Sequence, residues 1–363
     1  MKVPFPLPLE PMLAKAAPAI PPADTVAGGL LYEPKWDGFR CIVLKDGDEV
    51  ELASRGKKPL TRYFPEVVDQ VRAALPARCA LDAELVVRRG EPGAQRLDWE
   101  ALAQRIHPAA SRVAKLALET PAEVVAFDLL SVADEPWLQR GFSERRAELE
   151  RLFAGVPRGH GIHLTRVTRD HQVAQDWFSR FEGAGLDGIL AKPLAAAYAP
   201  GKRTLVKIKH KRTAEAVLVG YRVHTSGRGV GSLLLGLYGA DGRLFNVGGI
   251  AAFTAARRVE LIEELQPWVL RDADGTVAQA ATDRSRFSST KDVSFVPLRP
   301  ERVVEVSFDQ LEGWRFRHAV QFLRWRPDRD PRSCSIDQID RAAAYDLGEV
   351  LTDAEVVRDD RRA

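Results

Sequence analysis

The residues near the N-terminus that could do chemistry lie in one stretch, 33–40, with the sequence EPKWDGFR. Apolar runs flank it at 30–31 (LL) and 41–44 (CIVL). An Asp-Gly pair between two such runs is typical of a tight strand reversal, because Gly accepts positive φ and Asp tolerates it. A lysine held rigidly beside that turn, Lys35, could form a Schiff base, clamp a phosphate or act as a covalent nucleophile. The structural alternative is a solvated lysine on a surface hairpin.

Further charged side chains occur on the strands predicted downstream. Asp82 and Glu84 lie in the run LDAEL and therefore share one face of a strand. Charge that points into a core needs a partner, which favours a functional role for Glu84. Lys207 and Lys209 share a strand face by the same rule. The set is completed by Arg40, Arg55, Phe127, Asp187 and Lys192.

Together these residues predict a pocket for a nucleoside triphosphate. Cations would hold phosphates, carboxylates would hold a divalent metal or ribose hydroxyls, and an aromatic ring would stack on the base. Taken singly, Phe127 is typical of a core residue, and Lys207 and Lys209 are typical of a solvated strand face. Their joint occurrence with Lys35 favours the pocket.

Length and composition limit the number of domains and the class of protein. A chain of 363 residues suits two domains, and 45% hydrophobic with 28% charged residues is typical of a soluble globular protein. No apolar run is long enough for a membrane span, and we expect no signal peptide. The cysteines Cys41, Cys79 and Cys334 lack metal-ligand spacing, which predicts a reducing cytoplasm and no structural zinc. The net charge is only +3, but basic residues concentrate at 55–58, 202–212 and 315–329.

The hydrophobic pattern predicts an α+β chain with largely antiparallel sheets. Residues 1–29 are rich in Pro and Ala and are expected to form an extended lead-in on the surface. Hairpins predicted at 36–38 and 45–48 favour antiparallel pairing. Helix starts are expected at Pro65, Ser143 and Asp170. Further strands are predicted at 79–87, 122–130, 188–192 and 204–209, and a short helix at 99–106.

Beyond residue 213 the pattern changes to short, glycine-rich β segments with a single helix. Strands are predicted at 216–222, 232–238, 244–250, 302–308 and 316–324, and the helix at 253–268. This content suits a small Greek-key barrel of the OB type. We therefore predict two domains, 1–210 and 211–363.

The motifs, taken in order, resemble those of the ATP-dependent DNA ligases of the covalent nucleotidyltransferase superfamily, closest to the small two-domain bacterial ligases of the LigC type. The resemblance runs from 35–40 (KWDGFR) to 324–329 (RWRPDR). It implies an ATP-grasp-like nucleotidyltransferase domain followed by an OB-fold β-barrel. It also implies ATP and Mg²⁺ or Mn²⁺ as cofactors and nicked double-stranded DNA as substrate. We expect a monomer that has repair-protein partners and associates with the bacterial nucleoid.

The resemblance also implies residue roles. Lys35 would attack the α-phosphate of ATP, AMP would pass to the 5′-phosphate of the nick, and the 3′-hydroxyl would displace it. Arg40, Lys207 and Lys209 would join Lys35 in catalysis, and Glu84 and Asp187 would be the metal ligands. The implied ATP or AMP ligands are Glu33, Lys35, Arg40, Arg55, Glu84, Phe127, Asp187, Lys192, Arg203, Lys207, Lys209, Arg326 and Arg329.

Two positions depart from the family pattern, which usually has Glu at Asp187 and Lys at Arg329. Neither change removes a charge, so we expect an active enzyme. Attack requires a neutral amine, and the cations Arg40, Lys207 and Lys209 would favour it.

Two alternatives stay open. An RNA ligase or an mRNA-capping-type nucleotidyltransferase shares the lysine chemistry. A capping enzyme would take label from GTP rather than ATP, and an RNA ligase would seal nicked RNA rather than nicked DNA. A catalytically dead nucleic-acid binder built on an OB barrel is disfavoured by the intact lysine motif and both carboxylates.

Overall fold

A computed structural model describes residues 1–157, 159–281, 294–339 and 342–351. The chain divides into two compact units, one of residues 1–209 with the segment that begins at Ala342, and one of residues 210–341. In the described part, no helix is long and apolar enough to cross a membrane.

Among its described residues up to 209, the first unit contains two main sheets and five α-helices. Its strands are β1 (Leu13–Ala16), β2 (Leu30–Lys35), β3 (Phe39–Asp46), β4 (Glu49–Ser54), β5 (Arg78–Val86), β6 (Arg88–Arg89), β7 (Arg96–Leu97), β8 (Glu123–Val132), β9 (Glu135–Pro136), β10 (Ile162–Leu164), β11 (Gly188–Pro193) and β12 (Arg203–Lys209). Its helices are α1 (Pro65–Ala74), α2 (Trp99–Gln104), α3 (Ala110–Glu119), α4 (Phe142–Phe153) and α5 (His171–Arg180).

The strand order is β1-β12-β11-β2 in a four-stranded sheet and β10-β8-β5-β3-β4, with β9 beside β8, in a six-stranded sheet. Most neighbours are antiparallel, as predicted. The pairs β1 with β12 and β10 with β8 are parallel, so both sheets are mixed. An apolar cluster that includes Phe64, Val71, Leu81 and Leu149 packs helices α1 and α4 against the larger sheet.

The predicted hairpin after Lys35 is wrong. β2 pairs with β11 in the smaller sheet, whereas β3 pairs with β4 and β5 in the larger one, so residues 36–38 carry the chain from one sheet to the other. Gly38 is required there for space, because a Cβ would lie 2.0 Å from the Leu85 carbonyl oxygen. The hairpin at 45–48 is confirmed, with Gly47 at a φ of 61° between antiparallel strands.

The N-terminal lead-in also differs from the prediction. β1 adds an edge strand in parallel to β12, and the preceding Met12 is only 2% exposed. The sequence LAKA has little β-propensity, so the pairing depends on the partner strand, which no local pattern reveals.

The N-cap residues predicted from the sequence match the observed helix starts only in part. Asp170 caps α5 as predicted, since its side chain accepts hydrogen bonds from the backbone N–H groups of Gln172 and Val173. Helix α4 starts at Phe142 rather than after Ser143, with Gly141 at the N-cap position. Helix α3 was not predicted, because only Val113 and Leu116 of its ten residues are buried.

The second unit is built around β13, a strand that pairs with three others. Its strands are β13 (Arg212–Val223), β14 (Val230–Tyr238), β15 (Leu244–Ile250), β16 (Ala280–Ala281), β17 (Ser294–Pro297), β18 (Val303–Phe308), β19 (Leu311–Glu312), β20 (Arg315–Phe316) and β21 (Gln321–Trp325), and its helix is α6 (Ala255–Leu265). The seven-stranded sheet is antiparallel, and among the described strands no pairing closes it into a barrel. The single strand predicted at 316–324 is wrong, because β20 and β21 are separate and lie in different sheets.

The described end of the chain, residues 342–351 with helix α7 (Leu347–Leu351), packs within the first unit. Asp346 accepts a hydrogen bond from the Gln95 backbone N–H at 2.8 Å. Leu347 and Val350 are buried in an apolar cluster with Trp177 and Phe181.

Replacing Gly38 should test the crossover between the sheets. Gly38→Ala places a methyl group against the Leu85 carbonyl, so we expect the free energy of unfolding to fall by about 1–3 kcal/mol. Denaturant unfolding measures this. The matched control is Gly56→Ala, where the nearest atom to an added Cβ is 4.0 Å away. Equal stability of the two variants would contradict the steric requirement at Gly38.

Candidate active site

A pocket of about 330 Å³ opens in the first unit, and residues from both sheets line it. Its wall includes the edge strand β1 through Leu13 and Ala14, and the crossover through Trp36. The residues singled out in the sequence that line it are Glu33, Lys35, Arg40, Arg55, Glu84, Phe127, Arg203 and Lys207.

Three other residues from that set are not part of the wall: two of them form ion pairs with wall residues, and the third is linked to the wall through Asp187. Asp187 and Lys192 form ion pairs with the wall residues Lys35 and Glu33, and Lys209 pairs with Asp187. The remaining two, Arg326 and Arg329, belong to the second unit.

Lys35 ends β2, where its ammonium pairs with a buried carboxylate. Its Nζ lies 2.5 Å from Oδ2 of Asp187, and Nζ of Lys209 lies 2.9 Å from the same oxygen. Burial raises the pKa of Asp187, but the charges of Lys35 and Lys209 outweigh it and lower the pKa below its usual value. Asp187 is therefore an ionised anchor for two lysines. The sequence reasoning expected Arg40, Lys207 and Lys209 near Lys35 but did not predict an ion pair between Lys35 and Asp187.

Backbone contacts bring Asp187 to this position. The Asp187 N–H donates to the Lys35 carbonyl at 2.9 Å, and Gly188 then opens β11 opposite Lys35. Gly188 has a φ of +136°, and a Cβ there would meet the Ile208 carbonyl oxygen at 2.0 Å. The glycine thus allows β11 and β12 to approach closely beside the lysine.

Lys207 places a second lysine, besides Lys35, in the pocket wall. Burial, followed by the charges of Lys209 and Lys35, lowers the pKa of Lys207. This clustering of like charge is unfavourable unless an anion lies nearby, and Asp187 supplies only part of that compensation. The wall is therefore suited to a polyanionic ligand such as a triphosphate.

Arg40 is held by a carboxylate that the sequence reasoning did not assign. Its Nε and Nη2 donate to the two oxygens of Asp82, each at 2.6 Å, and Asp82 is fully buried. Burial alone would lower the pKa of Arg40, but the charge and hydrogen bonds of Asp82 raise it above its ordinary value. The signal was present, because Asp82 shares a strand face with Glu84.

Glu84 lies beside the crossover glycine. One of its oxygens accepts a hydrogen bond from the Gly38 N–H at 3.1 Å. Burial raises the pKa of Glu84 to about 7, against the opposing charges of Arg40 and Lys35. The carboxyl can therefore gain or lose a proton near neutral pH.

Glu33 and Lys192 form a buried pair behind the pocket, 1% and 2% exposed. Lys192 Nζ lies 2.8 Å from Glu33 Oε1 and donates to the Phe127 carbonyl at 3.0 Å. Burial outweighs the Lys192 charge and raises the pKa of Glu33. Oε1 of Glu33 is therefore in ion contact with Lys192, whereas Oε2 has no hydrogen-bond partner within the described part of the chain and could accept one from a ligand.

Phe127 presents little surface to the pocket. Its side chain is 4% exposed, and the Arg40 guanidinium and Lys192 ammonium lie 4.6 Å and 4.9 Å from its ring centroid. A base that stacks on the Phe127 ring would therefore lie close to the Arg40 and Lys192 side chains, which also contact this ring.

A divalent metal fits the carboxylates of this pocket only with help from a ligand. The described residues contain no group of three or more Asp, Glu, His or Cys placed to hold a metal. Mg²⁺ is commonly bound by one or two carboxylates together with substrate phosphates. Glu84 and Asp187 both interact with the charge of Lys35, and a metal held by these two carboxylates would need substrate phosphates as further ligands.

Comparisons with known proteins agree on one family. The model described as ATP dependent DNA ligase domain matches residues 11–209, and that described as ATP dependent DNA ligase C terminal region matches 226–329. The chain is 52% identical to DNA ligase C of Mycobacterium tuberculosis, covering 97% of this chain and 99% of that protein. It is 51% identical to DNA ligase C1 of Mycolicibacterium smegmatis, with the same two coverages.

Among solved structures, one from a structure–function analysis of Lig E DNA ligases aligns with a TM-score of 0.54. It covers 87% of this chain and 99% of that chain at 17% identity, which bears on the fold alone. The first family match spans more than half of the chain, and the mycobacterial relatives align along almost its whole length. The chain therefore belongs to the ATP-dependent DNA ligase family.

Proposed function

We propose that this ligase seals nicks between a 3′-hydroxyl and a 5′-phosphate in duplex DNA through an adenylate carried on Lys35. The observation that carries the proposal is the position of Lys35. It lies in the wall of one pocket with Arg40, Glu84 and Lys207, and Asp187 holds its ammonium.

The bond changes follow from a lysine nucleophile. Nζ of Lys35 attacks the α-phosphorus of ATP, the N–P bond forms, and the bond to the departing pyrophosphate breaks. The adenylyl group then moves to the 5′-phosphate of the nick and frees the amine. Attack of the 3′-hydroxyl on that phosphate forms the phosphodiester and releases AMP.

Lys35 must lose a proton before it attacks. In the free protein the ionised Asp187 carboxylate stabilises the ammonium, and its lowered pKa makes it a weak proton acceptor. The Lys35–Asp187 pair must therefore loosen when nucleotide binds. Use of Asp187 Oδ2 as a metal ligand would achieve this, since the same oxygen cannot hold both partners at full strength.

The remaining residues of the site would bind two different parts of ATP, its phosphates and its nucleoside. We propose that Lys207 and Lys209 hold the α-phosphate, and that Glu84 and Asp187 carry Mg²⁺ or Mn²⁺, which would offset phosphate charge. The nucleoside ligands would be Glu33, Phe127, Arg40, Arg55 and Arg203.

Lys192 is proposed to act indirectly. It is buried and bonded to Glu33 and to the Phe127 carbonyl, so it would position these two groups rather than touch the nucleotide itself.

The division of labour between domains is also a proposal. Residues 1–210 would act as the adenylation domain, together with residues 342–351, which pack within the same unit, and residues 211–339 would act as an OB-type domain, with Arg326 and Arg329 orienting the pyrophosphate. Arg326 is paired with Glu215 at 2.5 Å and with Asp328 at 2.9 Å, so it would exchange partners to do so. We further propose a monomer that works at the nucleoid with repair proteins.

Removing the nucleophile tests the assignment. Lys35→Ala should abolish transfer of label from [α-³²P]ATP to the protein, because the amine that would form the N–P bond has been removed. The variant should still seal a nick that already carries 5′-AMP, since that step does not need the amine. Gel assays on the two substrates measure both steps.

The control for this experiment is Lys15→Ala, which removes an exposed lysine from β1 of the same sheet. This variant should label and seal like the parent protein. Label on the Lys35→Ala protein would contradict the assignment of Lys35.

The raised pKa of Glu84 predicts that nucleotide affinity depends on pH. Metal ligation needs the ionised carboxylate, and with a pKa of about 7 that form is lost as the pH falls. We expect affinity for a Mg²⁺-bound, non-hydrolysable ATP analogue to fall about tenfold from pH 8 to pH 6. Titration calorimetry at both pH values measures this.

Two variants separate Glu84 from other titrating groups. Glu84→Gln should bind weakly with little pH-dependence. Asp187→Asn should bind weakly but keep the pH-dependence, because the lowered pKa of Asp187 leaves this carboxyl ionised over the whole range. A pH-dependence that survives in Glu84→Gln would show that another group titrates.

A further inference from the structure

Tyr198 lies behind Arg40 in the first unit and is not one of the residues that line the pocket. Its hydroxyl donates to Oδ2 of Asp82 at 2.5 Å and accepts from the Met12 backbone N–H at 3.2 Å. The side chain is 2% exposed, and Asp82 is fully buried. Neither Tyr198 nor Asp82 is among the residues assigned above to nucleotide or metal.

These contacts form a closed cycle of hydrogen bonds. Tyr198 donates to Asp82, Asp82 accepts from Arg40, Nη2 of Arg40 donates to the Met12 carbonyl at 3.3 Å, and the Met12 N–H returns to Tyr198. Met12 and Arg40 both line the pocket. The cycle therefore connects the buried Tyr198–Asp82 pair to the wall residues Met12 and Arg40.

We infer that Tyr198 is a positioning residue that sets the orientation of Arg40 through the Asp82 carboxylate. The inference rests on the proposed function, in which Arg40 binds the nucleotide or the nick phosphate. Oδ2 of Asp82 accepts from both Tyr198 and Arg40, so loss of the hydroxyl leaves Arg40 as the main restraint on the carboxylate. An arginine fork holds its geometry only as well as the carboxylate that receives it.

The hydroxyl is suited to this task over the working pH range. Burial and the neighbouring Asp82 charge raise the pKa of Tyr198 well above its ordinary value, so the group remains a donor. The tyrosine is also held by contacts that do not involve its hydroxyl. Its backbone N–H donates to the Leu138 carbonyl at 2.7 Å, and its ring packs with Leu130 and Leu205. Tyr198→Phe should therefore keep the fold while removing the two hydroxyl contacts.

The test measures self-adenylylation of the full chain against ATP concentration. We expect Tyr198→Phe to raise the KM for ATP about tenfold, the loss typical of one hydrogen bond to a charged group, with a smaller change in maximal rate. The matched control is Tyr32→Phe. Tyr32 is fully buried in the same unit and donates to the Pro21 carbonyl at 2.7 Å, and neither of these two residues lines the pocket.

Tyr32→Phe should lower the melting temperature to a similar extent and leave the KM unchanged. An equal rise of KM in both variants would overturn the inference, because it would reflect general destabilisation. An unchanged KM in Tyr198→Phe would overturn it as well.

A double-mutant comparison identifies the route of the effect. If Tyr198 acts through Arg40, Tyr198→Phe should add little to the KM of the Arg40→Lys protein. An undiminished tenfold rise in that background would overturn the inference. Failure of the proposed function would look different, since the parent protein itself would then take no label from ATP.

Discussion

The pocket depends on one shared carboxylate oxygen, Oδ2 of Asp187, which holds both Lys35 and Lys209. A site that binds a triphosphate must gather cations, and cations gathered in a partly buried wall repel one another before the ligand arrives. Asp187 offsets this repulsion in the free protein, and a bound nucleotide would take over that function. In the proposed reaction the same contact would oppose the chemistry, because the Lys35 ammonium must lose a proton before it attacks. On that proposal the amine of Lys35 would be released only as the ligand restores the charge balance.

The arrangement requires two sheets to meet at Lys35. The lysine ends a strand of the smaller sheet, and within three residues the chain enters the larger sheet that carries Arg40 and Glu84. So short a crossover brings backbone atoms close together, and at position 38 only glycine fits, because any Cβ would clash with the Leu85 carbonyl oxygen. Its N–H also donates to Glu84, so the residue that permits the crossover also orients a proposed metal ligand. Fold and chemistry therefore share the same backbone segment.

The sequence predicted which residues line the pocket better than it predicted how the strands pair. Charged residues at strand ends, and the motif order, were sufficient to bring Lys35, Glu84 and Lys207 into one site. The hairpin at Lys35 was wrong because an Asp-Gly pair signals a chain reversal but does not say which strands pair. Asp82 went unassigned because its partner, Arg40, lies on the neighbouring strand, and that register is a long-range property. β1 was missed for the same reason, since its pairing with β12 has no local signature.

Two carboxylates of the site differ in pKa, and their partners explain why. Asp187 has two lysines in direct ion contact, and these outweigh its burial. Glu84 has only more distant cations and a backbone N–H, so burial dominates and its pKa rises to about 7. Carboxylates with opposed pKa shifts are suited to different tasks. Asp187 remains an anion at every physiological pH and can anchor cations. Glu84 can exchange a proton as metal and nucleotide bind, which couples occupancy of the pocket to pH.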